Sequence, residues 1–120
     1  EALRGLADPA PFAAVPWEGV PVGLAARADL IVNATPVGQA GEDVPIDPEG
    51  IRPGAVVADV VYHPPETRLV LEARERGASA FGGLGMLVRQ AALSFEIWTR
   101  RPAPLEAMWA AARGEEVLGG

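Results

Sequence analysis

The chain has 120 residues, no cysteine, ten arginines and no lysine against sixteen acidic residues, for a formal charge of −6. That length suffices for one domain burying roughly two-thirds of its unfolded surface, and the absence of cysteine excludes a disulfide scaffold, a thiolate metal site and a thiol nucleophile. The acidic balance argues against a nucleic-acid partner, whose phosphates need a basic footprint, and no apolar run approaches the ~20 residues of a membrane span, so a soluble cytoplasmic protein without nucleic-acid or membrane partners is expected.

The chain opens at Glu1 without a methionine, and Glu1-Ala2-Leu3-Arg4-Gly5-Leu6-Ala7 reads as the tail of an amphipathic helix, so truncation is expected. Residues 12–17 form a weak strand candidate, and 19–28 a short helix or turn-rich connection. Residues 30–33 are a short apolar strand, stopped where Pro36 and Gly38 force a turn. The polar, Pro- and Gly-rich stretch 39–53 is a surface loop. Residues 55–62 form the strongest strand; its unalternating apolar side chains suit a parallel strand covered on both faces. Pro64 and Pro65 end it. A helix over 67–76 closes at Gly77, a short strand covers 78–81, a long helix runs from about 86 to 101, and a last helix spans 105–113. Strands alternating with helices predict βαβ units and a parallel sheet of three or four strands.

Ligands of such sheets bind beyond the carboxyl ends of the strands, and three segments there carry unusual residues. In Asn33-Ala34-Thr35-Pro36-Val37-Gly38, Asn33 and Thr35 either hydrogen-bond a ligand or close a turn on their own backbone. In Asp59-Val60-Val61-Tyr62-His63-Pro64, alternation puts Val60 and Tyr62 on one face and Asp59 and Val61 on the other. Asp59, if buried, must be hydrogen-bonded, and capping a neighbouring loop suits it better than acid–base work. His63, the single histidine, has the chemistry of a general base but the flanks of an exposed turn residue. Gly82-Gly83-Leu84-Gly85 fails as a dinucleotide phosphate loop, because Val88 stands where the third glycine belongs. On the helix that follows, Met86 and Gln90 share a face with Ser94 and Ile97, apart from a charged stripe of Arg89, Glu96 and Arg100. That places Gln90 away from solvent. Trp98 and Trp109 are expected to pack the last two helices together.

These three blocks, the second extended by Thr67 and the third read as Gly83-Leu84-Gly85-Met86-Leu87-Val88-Arg89-Gln90-Ala91-Ala92 with Ser94-Phe95 and Trp98-Thr99, resemble in order and spacing the C-terminal half of shikimate dehydrogenase. The resemblance implies an α/β fold, part of a Rossmann-like doubly wound parallel sheet followed by C-terminal helices. It divides the chain into residues 1–82, half of an NADP-binding domain, and 83–120, a cleft helix and a C-terminal helix packing back toward a substrate domain. The implied activity is NADP-dependent reduction of 3-dehydroshikimate to shikimate in aromatic amino-acid biosynthesis. Tyr62 and Gln90 match substrate contacts. Val60 and Gly83 match positions whose backbone lies against the nicotinamide half of the cofactor, Met86 the methionine beside the nicotinamide ring, and Asn33, Ala34 and Thr35 the strand-end turn beside the cofactor.

The family's catalytic lysine and aspartate lie in its N-terminal domain, and so no catalytic residue and no metal ligand is assigned here. The chain alone is expected to be inactive. Two alternatives stay open: a quinate/shikimate dehydrogenase using NAD, and a non-catalytic half-domain that binds a partner. An open sheet edge makes a second copy of the chain a candidate partner.

Overall fold

The structure, a computed structural model, describes residues 14–16, 22–41 and 43–115. The helix tail expected at residues 1–7 lies outside the described residues, and of the strand expected at 12–17 the described residues 14–16 have no regular structure. Among the described residues, three strands form one parallel sheet in the order β1 (Leu30–Asn33), β2 (Val56–Asp59), β3 (Ser79–Phe81). A short helix α1 (Val22–Ala25) precedes β1, and a single 3-10 turn (Pro48–Gly50) interrupts the long β1–β2 connection. Helix α2 (Arg68–Glu75) makes the β2–β3 crossover, and α3 (Leu84–Thr99) and α4 (Leu105–Ala112) follow β3.

The ends of α2 follow from its local sequence. Thr67 takes the N-cap in extended geometry, its hydroxyl accepting from the Val70 N–H. At the other end Gly77 adopts φ +83°, its N–H bonding the Arg74 carbonyl while the Ala78 N–H reaches back to Ala73. This pair of bonds is a Schellman closure, and the left-handed residue it requires is the glycine seen in the sequence.

The core forms where α2 covers one face of the sheet. Leu69, Val70 and Ala73 meet Ile51, Ala55, Val57, Ala78 and Ala80, with Ile31, Val44 and Ile46 packed around them. The parallel register aligns Leu30 with Val56 and Val32 with Ala58, and Ala58 with Phe81. Side chains of paired residues share a face, and on this second face Leu30, Val32 and Phe81 are 58%, 54% and 52% exposed. The expectation that β2 is covered on both faces is therefore corrected: Ala55, Val57, Asp59 and Val61 are buried, whereas Val56, Ala58 and Val60 are half-buried. An unbroken apolar run is compatible with either arrangement, and the neighbours across the sheet decide between them.

Helix α3 begins two residues earlier than its apolar pattern suggests and packs along α4, with Trp109 against Gly85. Its buried positions are Val88 and Ala92. The expected role of Trp109 in joining these helices holds; that of Trp98 does not, because its ring is 81% exposed. Among the described residues, no helix is long and apolar enough to cross a membrane, and no cluster of three or more metal-ligating side chains occurs.

Candidate functional site

The carboxyl ends of all three strands converge on one rim of the sheet, and the three sequence blocks meet there. After β1 the chain turns at once, and the turn is closed by its own side chains. The Asn33 Oδ1 accepts from the Thr35 N–H at 3.1 Å and from the Thr35 hydroxyl at 2.6 Å, and the Thr35 Oγ1 in turn accepts from the Val37 N–H at 3.2 Å. Gly38 leaves the turn at φ +99°, a conformation that favours glycine. Of the two possibilities for Asn33 and Thr35, the structure shows the self-satisfied turn. The wall it leaves on the rim consists of Ala34, Pro36 and the exposed part of Thr35.

Asn33 also reaches sideways. Its Nδ2 donates to the Val37 carbonyl at 3.1 Å and to Asp59 Oδ1 at 2.9 Å. Asp59, the last residue of β2, is 3% exposed and accepts two further bonds, from the Val61 N–H at 2.9 Å and the Thr67 hydroxyl at 2.7 Å. A buried carboxylate with three donors satisfies the condition anticipated for Asp59. Among the described residues, no buried side-chain nitrogen or oxygen lacks a partner.

Beyond Asp59, Val60 donates its N–H to the Asn33 carbonyl at 3.0 Å, extending the β1–β2 ladder by one rung. The chain then passes Tyr62, His63 and the cis peptide before Pro64. Against this segment the β3–α3 turn is locked by two glycines. A Cβ on Gly82 would stand 2.4 Å from the Pro65 carbonyl oxygen, and one on Gly83 would stand 2.1 Å from that of Val60. The Gly83 N–H donates to the Val61 carbonyl at 2.8 Å, and its own carbonyl accepts from the Leu87 N–H at 2.9 Å. The two glycines, rejected as a phosphate loop, thus serve backbone-to-backbone packing of the α3 entry against the segment that follows β2.

Two clefts open on this rim. The first, of about 250 Å³, lies between Ala34, Thr35, Pro36 and Gln39 on one side and Val60, Val61, Tyr62 and His63 on the other. The second, of about 900 Å³, shares Tyr62 and His63 and continues to Leu84 and Leu87 of α3 and to the end of α4. Tyr62, 46% exposed, and His63, also exposed, therefore form the ridge between them. At the far end of the second cleft Arg113 donates to both Glu115 oxygens, at 2.5 and 3.1 Å. Those bonds hold the Glu115 carboxyl below the usual carboxylate range and raise Arg113 further above its own.

The structure thus brings Ala34, Thr35, Val60 and Tyr62 to one cleft, with Asn33 directly behind its wall and Gly83 behind Val60. Met86 and Gln90 line neither cleft. They lie on an exposed face of α3 with Leu93 and Ile97, so the expectation that Gln90 sits away from solvent is corrected. Helical periodicity put Met86, Gln90 and Ile97 on a common face, while Ser94, expected beside them, is half-buried; that this face is open depends on what packs against α3, which periodicity does not contain. The site feature missed in the sequence is the Asn33–Asp59 bond. Its only advance signal is a polar residue at the end of each of two apolar strands.

The first cleft is smaller than the roughly 300–1,000 Å³ typical of small-molecule sites, and its lining combines short apolar side chains with the Thr35 hydroxyl, the Gln39 amide, the Tyr62 phenol and the His63 imidazole.

Comparison with known proteins agrees with the geometry. Residues 83–113 match the model of the shikimate 5′-dehydrogenase C-terminal domain. The NADP(+) shikimate dehydrogenase of Maricaulis maris is 48% identical over 99 residues, which are 81% of this chain and 35% of that protein. Among solved structures, the shikimate 5-dehydrogenase of Thermus thermophilus, in complex with NADP(H) and shikimate, superposes with a TM-score of 0.72 at 38% identity, over 79% of this chain and 37% of its own. Quinate dehydrogenase of Corynebacterium glutamicum, in complex with NAD, gives a TM-score of 0.76 at 32% identity, covering 83% and 36%. The chain spans about a third of the length of the relatives it matches. The sequence and the fold together place this chain with the C-terminal part of the shikimate dehydrogenases.

Proposed function

We propose that this chain forms the nicotinamide side of the active cleft in an NADP-dependent shikimate dehydrogenase that interconverts 3-dehydroshikimate and shikimate. The observation that carries the proposal is the convergence of Ala34, Thr35, Val60 and Tyr62 on one cleft at the carboxyl rim of a parallel sheet, in a chain matched to that family. The division at Gly82-Gly83 between a cofactor-binding half and the cleft helices belongs to the same proposal, as does a cytoplasmic location.

In this function the cofactor, when bound, supplies the hydride. The chain's own part is positioning. Ala34 and Thr35 on one wall and Val60 on the other would hold the nicotinamide end of the cofactor, Gly83 sets the approach of α3 to Val60, and Met86 projects from the first turn of that helix. Tyr62 presents its hydroxyl at the ridge between the two clefts, within reach of a ligand in either. Gln90, one turn beyond Met86, offers an amide with both donor and acceptor to a polyhydroxylated substrate. The sequence contains no lysine, so the lysine that the resemblance assigns to proton transfer is not among these residues. Holding reactants in register is a rate contribution in its own right.

The test is shikimate-dependent reduction of NADP⁺ by the full-length protein, followed at the absorbance of the reduced nicotinamide, with quinate and NAD⁺ run in parallel. Turnover with shikimate and NADP⁺ exceeding the other combinations is expected. A preference for quinate with NAD⁺ would move the chain to the quinate dehydrogenases, and no turnover with any pair would count against an enzymatic role.

A further inference from the structure

We propose that Asp59 is a positioning residue for the cofactor cleft, acting through Asn33 and the Val61 N–H; the inference rests on the function proposed above. The two walls of the first cleft come from segments 26 residues apart, and the direct side-chain link between them is the 2.9 Å bond from Asn33 Nδ2 to Asp59 Oδ1. On one side, Asn33 closes the turn that carries Ala34 and Thr35. On the other, the same Asp59 oxygen takes the Val61 N–H and so fixes the strand end that carries Val60 and Tyr62. One carboxylate oxygen therefore ties both walls together, beside the backbone bond from the Val60 N–H to the Asn33 carbonyl.

The second oxygen faces away from the cleft, toward the Thr67 hydroxyl and the start of α2. Both Asp59 and Asn33 are 3% exposed, so neither bond exchanges readily with water. A buried, multiply hydrogen-bonded carboxylate is costly to leave unpaired and correspondingly rigid when paired. Asp59 lines neither cleft and contacts no ligand in this scheme. Its influence is on where the walls stand.

The two oxygens separate function from stability. In Asp59→Asn the remaining oxygen can keep both cleft-side bonds, while the new amide nitrogen confronts Thr67. In Asp59→Ala both arms are lost. With the full-length protein, the dissociation constant for NADP⁺ is measured by titration of tryptophan fluorescence, well below the unfolding temperature of every variant. Asp59→Ala is expected to weaken binding about tenfold, the lower end of what outer-shell partners contribute to ligand sites. Asp59→Asn is expected to recover most of that loss although it too is destabilised. Val70→Ala, a core change on α2 that lines neither cleft and keeps the backbone N–H bonded to Thr67, should lower the unfolding temperature and leave the NADP⁺ affinity unchanged.

Should Asp59→Ala not fold, Asn33→Ala carries the same test, because it cuts the link to the turn and leaves Asp59 bound to Val61 and Thr67. Parental affinity in Asp59→Ala, or in Asn33→Ala where that variant stands in, would overturn the proposal, and so would an equal loss in Val70→Ala. If the parent protein itself shows no affinity for NADP⁺, the proposed function fails and this inference with it; if the parent binds and the variants match it, the inference alone fails.

Discussion

Two glycines two residues apart, Gly83 and Gly85, should respond to alanine with opposite signs. Gly83 is the N-cap of α3, at φ −78° and ψ −6°, and Gly85 lies within its first turn, so an alanine meets no backbone strain at either position. In the absence of contacts each replacement would stabilise the protein, by about 0.4–1 kcal/mol through the unfolded chain and helix propensity. The surroundings decide otherwise at Gly83. Its added methyl would lie 2.1 Å from the Val60 carbonyl oxygen, and backbone would have to retreat by about 0.9 Å merely to reach the 3.0 Å below which such contacts do not occur. No side chain can swing aside, because the obstacle is main chain pinned by the Gly83–Val61 hydrogen bond. Overpacking of this kind costs about 1–3 kcal/mol, and the upper end applies to an immobile neighbour. Subtracting the intrinsic gain leaves Gly83→Ala about 2 kcal/mol less stable. At Gly85 the new methyl would meet the rim of Trp109 at 3.6 Å, an ordinary contact, so the gain of about 0.5–1 kcal/mol survives. Urea unfolding of the full-length protein, followed by circular dichroism, is the measurement. Gly83→Ala should lower the midpoint by about 1 M and Gly85→Ala should raise it slightly. A Gly83→Ala variant as stable as the parent would refute the claim that α3 is seated by direct contact of its entry with Val60, just beyond β2.

Other perturbations follow from the same geometry. Thr67→Val keeps the shape but leaves the Val70 N–H and Asp59 Oδ2 short of a partner in a site 1% exposed, and should cost about 2–3 kcal/mol in thermal or urea unfolding. A loss under about 0.5 kcal/mol would show that α2 does not depend on this cap. Gly77→Ala forces an L-residue to φ +83° and should cost about 1 kcal/mol; its Cβ has only the ordinary 3.5 Å contact with Pro53, so strain rather than collision is what the unfolding curve would register. Gln90→Ala, on an exposed helical face, should leave stability within about 0.5 kcal/mol of the parent while reducing kcat/KM for shikimate on the order of 10- to 100-fold. Unchanged kinetics would remove Gln90 from the substrate contacts.

Much of the framework was legible before any coordinates. The strand Leu30–Asn33 was marked by its own apolar residues and by Pro36 and Gly38 beyond it. Helix α2 was bracketed by Thr67 and Gly77, whose capping chemistry operates within a few residues. The strand-end blocks were recognisable because ligands of parallel sheets collect at one rim, and that rule needs only the direction of the strands. The resemblance to shikimate dehydrogenase rested on the same blocks, since each is a local string.

Tertiary structure decided whatever links residues distant in the chain. The sequence announced a polar Asn33 and a polar Asp59, and nothing within either strand says that a parallel register sets them opposite each other at hydrogen-bonding distance. Val88 in place of a third glycine already excludes a phosphate loop at Gly82 and Gly83, but what these glycines do instead is given only by the carbonyls of Pro65 and Val60 that stand against them. The common face of Met86, Gln90 and Ile97 was periodic and therefore predictable; its exposure, like that of Leu30 and Val32 on the sheet, depends on which elements lie alongside. Caps, turns and helical faces arise from interactions over one to four residues and can be read from sequence. Coverage and cross-chain hydrogen bonds arise from topology, which in this acidic, cysteine-free chain of 120 residues only the assembled sheet reveals.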